Sequence, residues 1–127
     1  MLCCVLRASG PDFDVEAFLD DSPLEPCSVW HRGETRSRDR VHNDSGFNLD
    51  IGSGELSAQI AGVVQFMIAH DVEMRRLRSC TSIEIILDFA IARRDIFVQC
   101  DSFPATLIRL AGSLGLGIEL TQYPVSE

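Results

Sequence analysis

SIEIILDFAIA, residues 82–92, decides the fold because it carries the clearest β-strand pattern in the chain. Its apolar residues recur at every second position, a period typical of a strand with one buried face. They are Ile83, Ile85, Leu87, Phe89 and Ile91. Ile86 alone interrupts the polar side of the pattern. A turn at RRD and the apolar run IFVQC, residues 96–100, follow, and we expect the two runs to form a hairpin.

Shorter patterns on either side extend this strand into a sheet covered by helices. Strands are predicted at LCCVLRA (2–8), SVWHRG (28–33), GFNLDIG (46–52) and GIELTQY (117–123). Apolar residues at helical spacing predict helices within 12–22, 54–71 and 102–115. Residues 71–79 either extend the central helix or form a separate turn. The predicted order, β-α-β-β-α-β-β-α-β, indicates an α+β two-layer sandwich, a mostly antiparallel sheet with helices on one face.

Length and composition indicate an ordinary globular protein. The chain has 127 residues, of which 46% are hydrophobic and 24% charged, and we expect a single domain over residues 1–127. Its longest central apolar run, residues 60–69, is far shorter than the about 20 residues that span a bilayer. The N-terminus lacks the pattern of a signal peptide, so we expect a cytoplasmic protein that has no membrane segment.

Charge is segregated along the chain. The formal net charge is −8, and all 11 basic residues are arginines. Residues 11–26 carry six acidic side chains and no basic one, a sum of −6. Residues 28–42 carry four arginines against two acidic residues, a sum of +2. Because arginine forms bidentate contacts with carboxylates and phosphates, the second segment is a candidate for recognition.

The segment Pro26-Cys27-Ser28-Val29-Trp30-His31-Arg32-Gly33-Glu34 resembles the P-x-x-x-W-x-x-G-E motif of a family of small bacterial domains of unknown function. In that family a strand and a short acidic helix precede the motif, places that CCVLRASGPDFDVEAFL fills here. In the family an aromatic strand follows the motif after a polar loop. SGFNLDIG takes that place here, with Phe47 where the family often has Trp. The ending LIRLAGSLGLGIELTQY is also similar. The family has no established catalytic residues that could be carried over to this chain, and some members resemble immunity proteins encoded beside bacterial toxins.

These observations favour a non-enzymatic protein-binding module, and an immunity protein for a toxin is one protein of that kind. An inhibitor of a basic nuclease needs a carboxylate-rich surface, which steers association and mimics phosphate. We expect the chain itself to be a monomer or a homodimer. The candidate partner-binding residues are Asp20, Asp21, Glu25, Trp30, Arg32, Arg36, Arg38 and Arg40.

An enzyme is the first alternative. His31 and His42 flank the arginine-rich loop and, with Asp44 or Glu34 nearby, provide the side chains of a metal-binding enzyme or hydrolase. Cys27 is a candidate nucleophile if His31 lies beside it. No nucleophile elbow, P-loop or dinucleotide-binding motif is present, and the five cysteines contain no C-x-x-C pair. We therefore predict no catalytic residue, no cofactor and no bound metal.

Nucleic-acid binding is the second alternative. The arginines of residues 32–40 are suited to phosphate contacts, and Trp30 is a residue on which a base can stack. Glu34 and Asp39 halve the charge of this loop, however, and the acidic remainder of the chain repels a polyanion. The sequence therefore favours a protein partner over a nucleic acid.

Overall fold

The structure, a computed structural model, describes residues 1–124 and builds them into seven strands and four helices. The strands are β1 (Cys3–Gly10), β2 (Ser28–Trp30), β3 (Thr35–Ser37), β4 (Arg40–Val41), β5 (Ser45–Ser53), β6 (Glu84–Arg93) and β7 (Gly117–Pro124). The helices are α1 (Val15–Asp20), α2 (Leu56–Ala69), α3 (Asp71–Arg78) and α4 (Ala105–Ser113). Five strands form one sheet in the order β2-β5-β1-β6-β7, antiparallel except at the β6–β7 pair. The predicted α+β class is confirmed.

One face of this sheet lies against the helices. In β1, Cys4, Leu6 and Ala8 are fully buried, whereas the alternate residues Arg7 and Ser9 are only partly buried. The two-residue period of a strand therefore separates a buried face from an uncovered face. Aromatic contacts join the helical layer to the buried face: the ring centroids of Phe18 and Phe47 lie 5.9 Å apart. No helix within residues 1–124 combines the length and apolar character needed to cross a membrane.

The predicted hairpin that follows β6 is wrong. Residues 96–100 form no strand, and the side chains of Ile96, Phe97 and Val98 are exposed. The physical reason is that β7 pairs with β6 as far as Arg93, the last residue of β6. This edge of β6 is therefore occupied and has no room for a returning strand.

The sequence left residues 71–79 open, and the structure shows that they contain the separate helix α3, because the backbone breaks at His70. The structure also adds β3 and β4.

Gln59 is a buried polar residue that completes the other edge of β6. Strand β1 pairs with β6 only as far as Val5 opposite Asp88, so Ala90 has no strand neighbour on that side. The Gln59 side-chain amide donates to the Ala90 carbonyl at 2.7 Å and accepts from the Ala90 N–H at 3.1 Å. Helix α2 can approach this closely because position 52 is glycine: a Cβ there would lie 2.6 Å from the Gln59 carbonyl oxygen.

Replacing Gln59 by leucine tests this contact. Q59L leaves the N–H and the carbonyl of Ala90 buried without partners, and we expect the free energy of unfolding to fall by about 2–3 kcal/mol. Gln65 lies exposed on the same helix, so Q65L should change stability by less than about 0.5 kcal/mol. Urea denaturation measures both variants. Equal stabilities for Q59L and Q65L would contradict the role given to the Gln59 amide.

Candidate functional site

The arginine-rich segment forms a small ordered ribbon, residues 35–41, here called the arginine hairpin. Strands β3 and β4 pair within it, with Thr35 opposite Val41, and every residue is exposed. Its base is closed by main-chain hydrogen bonds: the N–H of Gly33 donates to the His42 carbonyl at 2.8 Å. The N–H of His42 donates to the Glu34 carbonyl at 2.9 Å. Gly33 has φ of +90°, a conformation that favours glycine.

Trp30 fixes this hairpin against the edge of the sheet. Its indole N–H donates to Asp44 Oδ1 at 2.9 Å, and its ring stacks on His42 with centroids 5.8 Å apart. The ring also lies over Gly46, where a Cβ would come within 2.6 Å of Trp30 Cζ2. Trp30 is thus held on several sides by its own chain. The indole is a structural support of the site, and His42 stacks on one side of its ring.

A polar cleft of about 340 Å³ lies between the uncovered sheet face and the arginine hairpin, and we call it the hairpin cleft. The sheet provides its floor, and the hairpin with its base provides the walls. The lining residues are Arg7, Ser9, Trp30, Arg36, His42, Asp44 and Asn48. The floor comes together through the sheet, because Arg7 of β1 stands opposite Asn48 of β5.

Two guanidinium groups line the hairpin cleft, and they differ in their partners. Arg7 lies 3.2 Å from Asp88 and 3.5 Å from Glu119, two carboxylates on neighbouring strands. Arg36 forms no ion pair with any residue in the described range 1–124. The buried Asn48 Oδ1 has no hydrogen-bond donor within that range. The cleft therefore has one positive charge without a carboxylate partner, and one of its lining residues carries a buried acceptor without a donor.

The sequence-predicted binding residues fall on two different surfaces. Asp20, Asp21 and Glu25 are exposed at the end of α1 and after it, on the side of the helical layer. Arg36 lines the hairpin cleft, while Arg38 and Arg40 lie elsewhere on the exposed arginine hairpin.

Arg32 precedes the hairpin and has a separate role. Its guanidinium lies 3.8 Å from Asp12 and donates to the Pro11 carbonyl at 3.3 Å. Its N–H donates to Ser45 Oγ at 2.9 Å. Arg32 thus connects the segment after β1 with the start of β5, and it does not line the hairpin cleft.

The residues of the predicted hydrolytic site have separate partners. His31 contacts Glu16 through Nε2 at 2.7 Å and Glu34 through Nδ1 at 2.8 Å. His42 stacks on Trp30, and the Cys27 thiol donates to the Asn48 carbonyl at 3.2 Å. No hydrogen bond joins Cys27 to His31 among the described contacts, and no group of three potential metal-ligating side chains occurs in residues 1–124. The geometry does not assemble that site.

Comparison with known proteins places the chain in a family. A family model matches residues 2–125, a range that includes every residue lining the hairpin cleft. The chain belongs to the family described as Domain of unknown function (DUF4279). Membership of such a family, which the sequence resemblance predicted, is confirmed. Neither the curated proteins nor the solved structures contain a match to this DUF4279 chain. A role in toxin immunity stays a prediction.

Three residues of the cleft floor were missed by reasoning from the sequence: Arg7, Ser9 and Asn48. Each stands on the polar side of a two-residue alternation, Arg7 and Ser9 in β1 and Asn48 between Phe47 and Leu49. That signal places each of them on the uncovered face. It does not indicate which strands are neighbours, so the three positions come together only in the folded sheet.

His31 links α1 to the base of the arginine hairpin through its two glutamates. The hydrogen bond to Glu34, followed by that to Glu16, raises the pKa of His31 above its ordinary value of 6.5. The same hydrogen bond to His31 lowers the pKa of Glu34. Because the pKa of His31 is higher in the folded protein, its contribution to stability is complete below pH 6.5. That contribution is lost as the pH rises through the folded-state pKa.

An NMR titration of the His31 ring tests this link. We expect a midpoint above 6.5 in the wild-type protein and a lower midpoint in E34Q, which removes the strongest partner of the imidazolium. E55Q is the control, because the exposed Glu55 side chain makes no capping hydrogen bond. A wild-type midpoint at or below 6.5, or the same midpoint in E34Q, would contradict the contact.

Proposed function

We propose that this DUF4279 protein is a non-enzymatic protein-binding module whose contact surface is the arginine hairpin together with the hairpin cleft. The observation that carries the proposal is the exposed position of Arg36, Arg38 and Arg40 on one ordered ribbon. None of the three forms an ion pair with a residue in the described part of the chain. The partner is an acidic segment of another protein.

The charges explain why such a surface suits an acidic partner. The chain carries a net charge of −8, yet these three arginines are offset within the hairpin by Asp39 alone, which leaves +2 over residues 35–41. Guanidinium groups bind carboxylates with two parallel hydrogen bonds, so several of them on a rigid ribbon favour a carboxylate-rich segment. Exposed charges of this kind act mainly on the rate of association and on its salt dependence.

A protein partner is favoured over a nucleic acid for two reasons. The acidic remainder of the chain repels a polyanion, whose charge extends well beyond the hairpin. Trp30, the one tryptophan, is half-buried and already stacked on His42, so it is not free to stack on a base.

Neutralising the arginine hairpin tests the proposal. R36Q/R38Q/R40Q and the control R93Q/R94Q/R109Q each remove three exposed arginines, so the two variants carry the same net charge. Each protein is used, with cross-linking, to capture partners from cells that express it naturally. We expect the hairpin variant to lose a partner that the control retains. The affinity for that purified partner should fall about tenfold or more, with a weaker salt dependence.

Two outcomes of this experiment would overturn the proposal. One is a captured partner that binds the hairpin variant and the control equally well. The other is retardation of labelled single-stranded DNA or RNA by the wild-type protein at low salt, abolished in the hairpin variant, which would support nucleic-acid binding instead.

The acidic surface formed by Asp20, Asp21 and Glu25 supports a second candidate function, an immunity protein for a basic toxin. The specific observation is that these three side chains are exposed and form no ion pair within residues 1–124. In the same segment, by contrast, Asp12 lies beside Arg32 and Glu16 beside His31. A positively charged partner is the kind that this surface attracts.

Charge reversal distinguishes this surface from the hairpin. D20K/D21K/E25K should weaken the binding of a cationic toxin about tenfold or more and flatten its salt dependence, because the steering charges are inverted. The control E55K/E84K/D95K reverses three other exposed carboxylates and should have a much smaller effect. Affinity that is unchanged in the first variant rules this surface out.

A further inference from the structure

We infer that the hairpin cleft is a carboxylate-binding site that takes the C-terminal residue of a peptide, with the carboxylate at Arg36 and Arg7 and the adjoining N–H at Asn48. This inference rests on the proposed function, since it names the group of the partner that enters the cleft. The cleft volume of about 340 Å³ suits one or two residues and is at the small end of ligand sites in proteins.

Arg36 and Arg7 provide complementary parts of a carboxylate site. Arg36 supplies a positive charge that no described carboxylate offsets, and it stands on the hairpin side of the cleft. Arg7 donates one hydrogen bond to Asp88 and one to Glu119, while Asp88 also accepts from Thr121 at 2.6 Å. A guanidinium has five N–H donors, so Arg7 is held in place and still has donors for a ligand. A carboxylate in the cleft therefore has guanidinium donors both on the sheet and on the hairpin.

Asn48 identifies the second group of the ligand. Its Oδ1 is buried and has no donor in the described chain, although a buried acceptor without a partner is unfavourable. On rotation of the Asn48 side chain towards the cleft, a ligand N–H supplies the missing donor. The last residue of a peptide carries a carboxylate and an N–H on the same Cα, the pair of groups that Arg36, Arg7 and Asn48 require. Acetate has the carboxylate without the N–H, and a peptide amide has the N–H without the charge.

Asp44 limits the charge of the ligand. Its carboxylate lines the same cleft and is held there by the Trp30 indole N–H. A second negative charge on the ligand is therefore disfavoured near that wall. The cleft selects a monoanionic carboxylate over a phosphate, which carries more charge at neutral pH.

A titration with N-acetyl-Ala-Ala tests the site. The ligands used for comparison are the C-terminal amide of the same dipeptide, sodium acetate and inorganic phosphate. The Trp30 indole N–H is a specific NMR reporter, because the chain has one tryptophan and its indole lies in the cleft wall. We expect saturable shifts of this signal with the dipeptide acid, and binding at least about tenfold weaker with each of the other probes.

Matched variants assign the contacts. R36Q should weaken dipeptide binding about tenfold or more, whereas R38Q, which removes the same charge from the same hairpin outside the cleft, should leave it within about twofold. N48A should reduce the binding of the dipeptide acid towards that of acetate, because both ligands then rely on the arginines alone. The folded state of each variant is checked by its amide spectrum.

The outcomes separate this inference from the proposed function. Absence of saturable binding, equal binding of acid and amide, or equal effects of R36Q and R38Q would overturn the carboxylate site. If R36Q/R38Q/R40Q then still loses a captured partner, the proposed function stands without the site. If the dipeptide binds as expected but that variant captures the same partners as its control, the site stands and the proposed function falls.

Discussion

The sheet is covered by helices on one face only, and this asymmetry determines where the polar chemistry of the protein lies. Alternate residues of β1 point to opposite sides, so Leu6 is buried in the core while Arg7 stands on the uncovered face. Neighbouring strands add Asn48 and Asp88 on the same side, because they stand in register with β1. The uncovered face can therefore carry charges that the helical layer would exclude.

The base of the arginine hairpin is fixed by contacts on two sides. Trp30 joins the hairpin to the sheet edge by its contacts with Asp44 and His42. His31, the next residue, points to the other side and reaches Glu16 of α1. Both contacts hold the base of the hairpin, so that in the proposed binding of a partner less conformational freedom would be lost. The contribution of His31 falls as the pH rises through its raised pKa.

The sequence predicts the elements that depend on local periodicity. The prediction fails where the structure of a segment depends on which elements lie beside it in the fold. Strand β6 is predicted well because its alternation is regular over the whole element. The run at 96–100 has the composition of a strand, yet both edges of β6 are already occupied, by β1 and Gln59 on one side and β7 on the other. Gln59 itself falls on the buried side of α2, among apolar residues, where no period identifies its partner.

The candidate site also contains residues that the sequence identifies and residues that it does not. Trp30 and Arg36 are identifiable from the sequence, since an aromatic strand end and an arginine-rich segment stand out from their surroundings. Arg7 and Asn48 are ordinary strand residues that gain significance only by standing opposite each other. The polar floor of the cleft is thus a product of sheet register, which a single sequence does not encode in any short pattern.

Acidic and basic side chains are concentrated on different sides of the molecule. The acidic surface at Asp20, Asp21 and Glu25 lies on the side of the helical layer, and the arginine hairpin adjoins the uncovered face. An acidic partner is attracted by the hairpin and repelled by the remainder of the chain, whose net charge is −8 with the hairpin included. The net negative charge of the remainder favours encounters in which the hairpin faces the acidic partner, so the hairpin needs only modest attraction of its own to be specific. The acidity of the chain and the three arginines of the hairpin therefore act together in the proposed recognition.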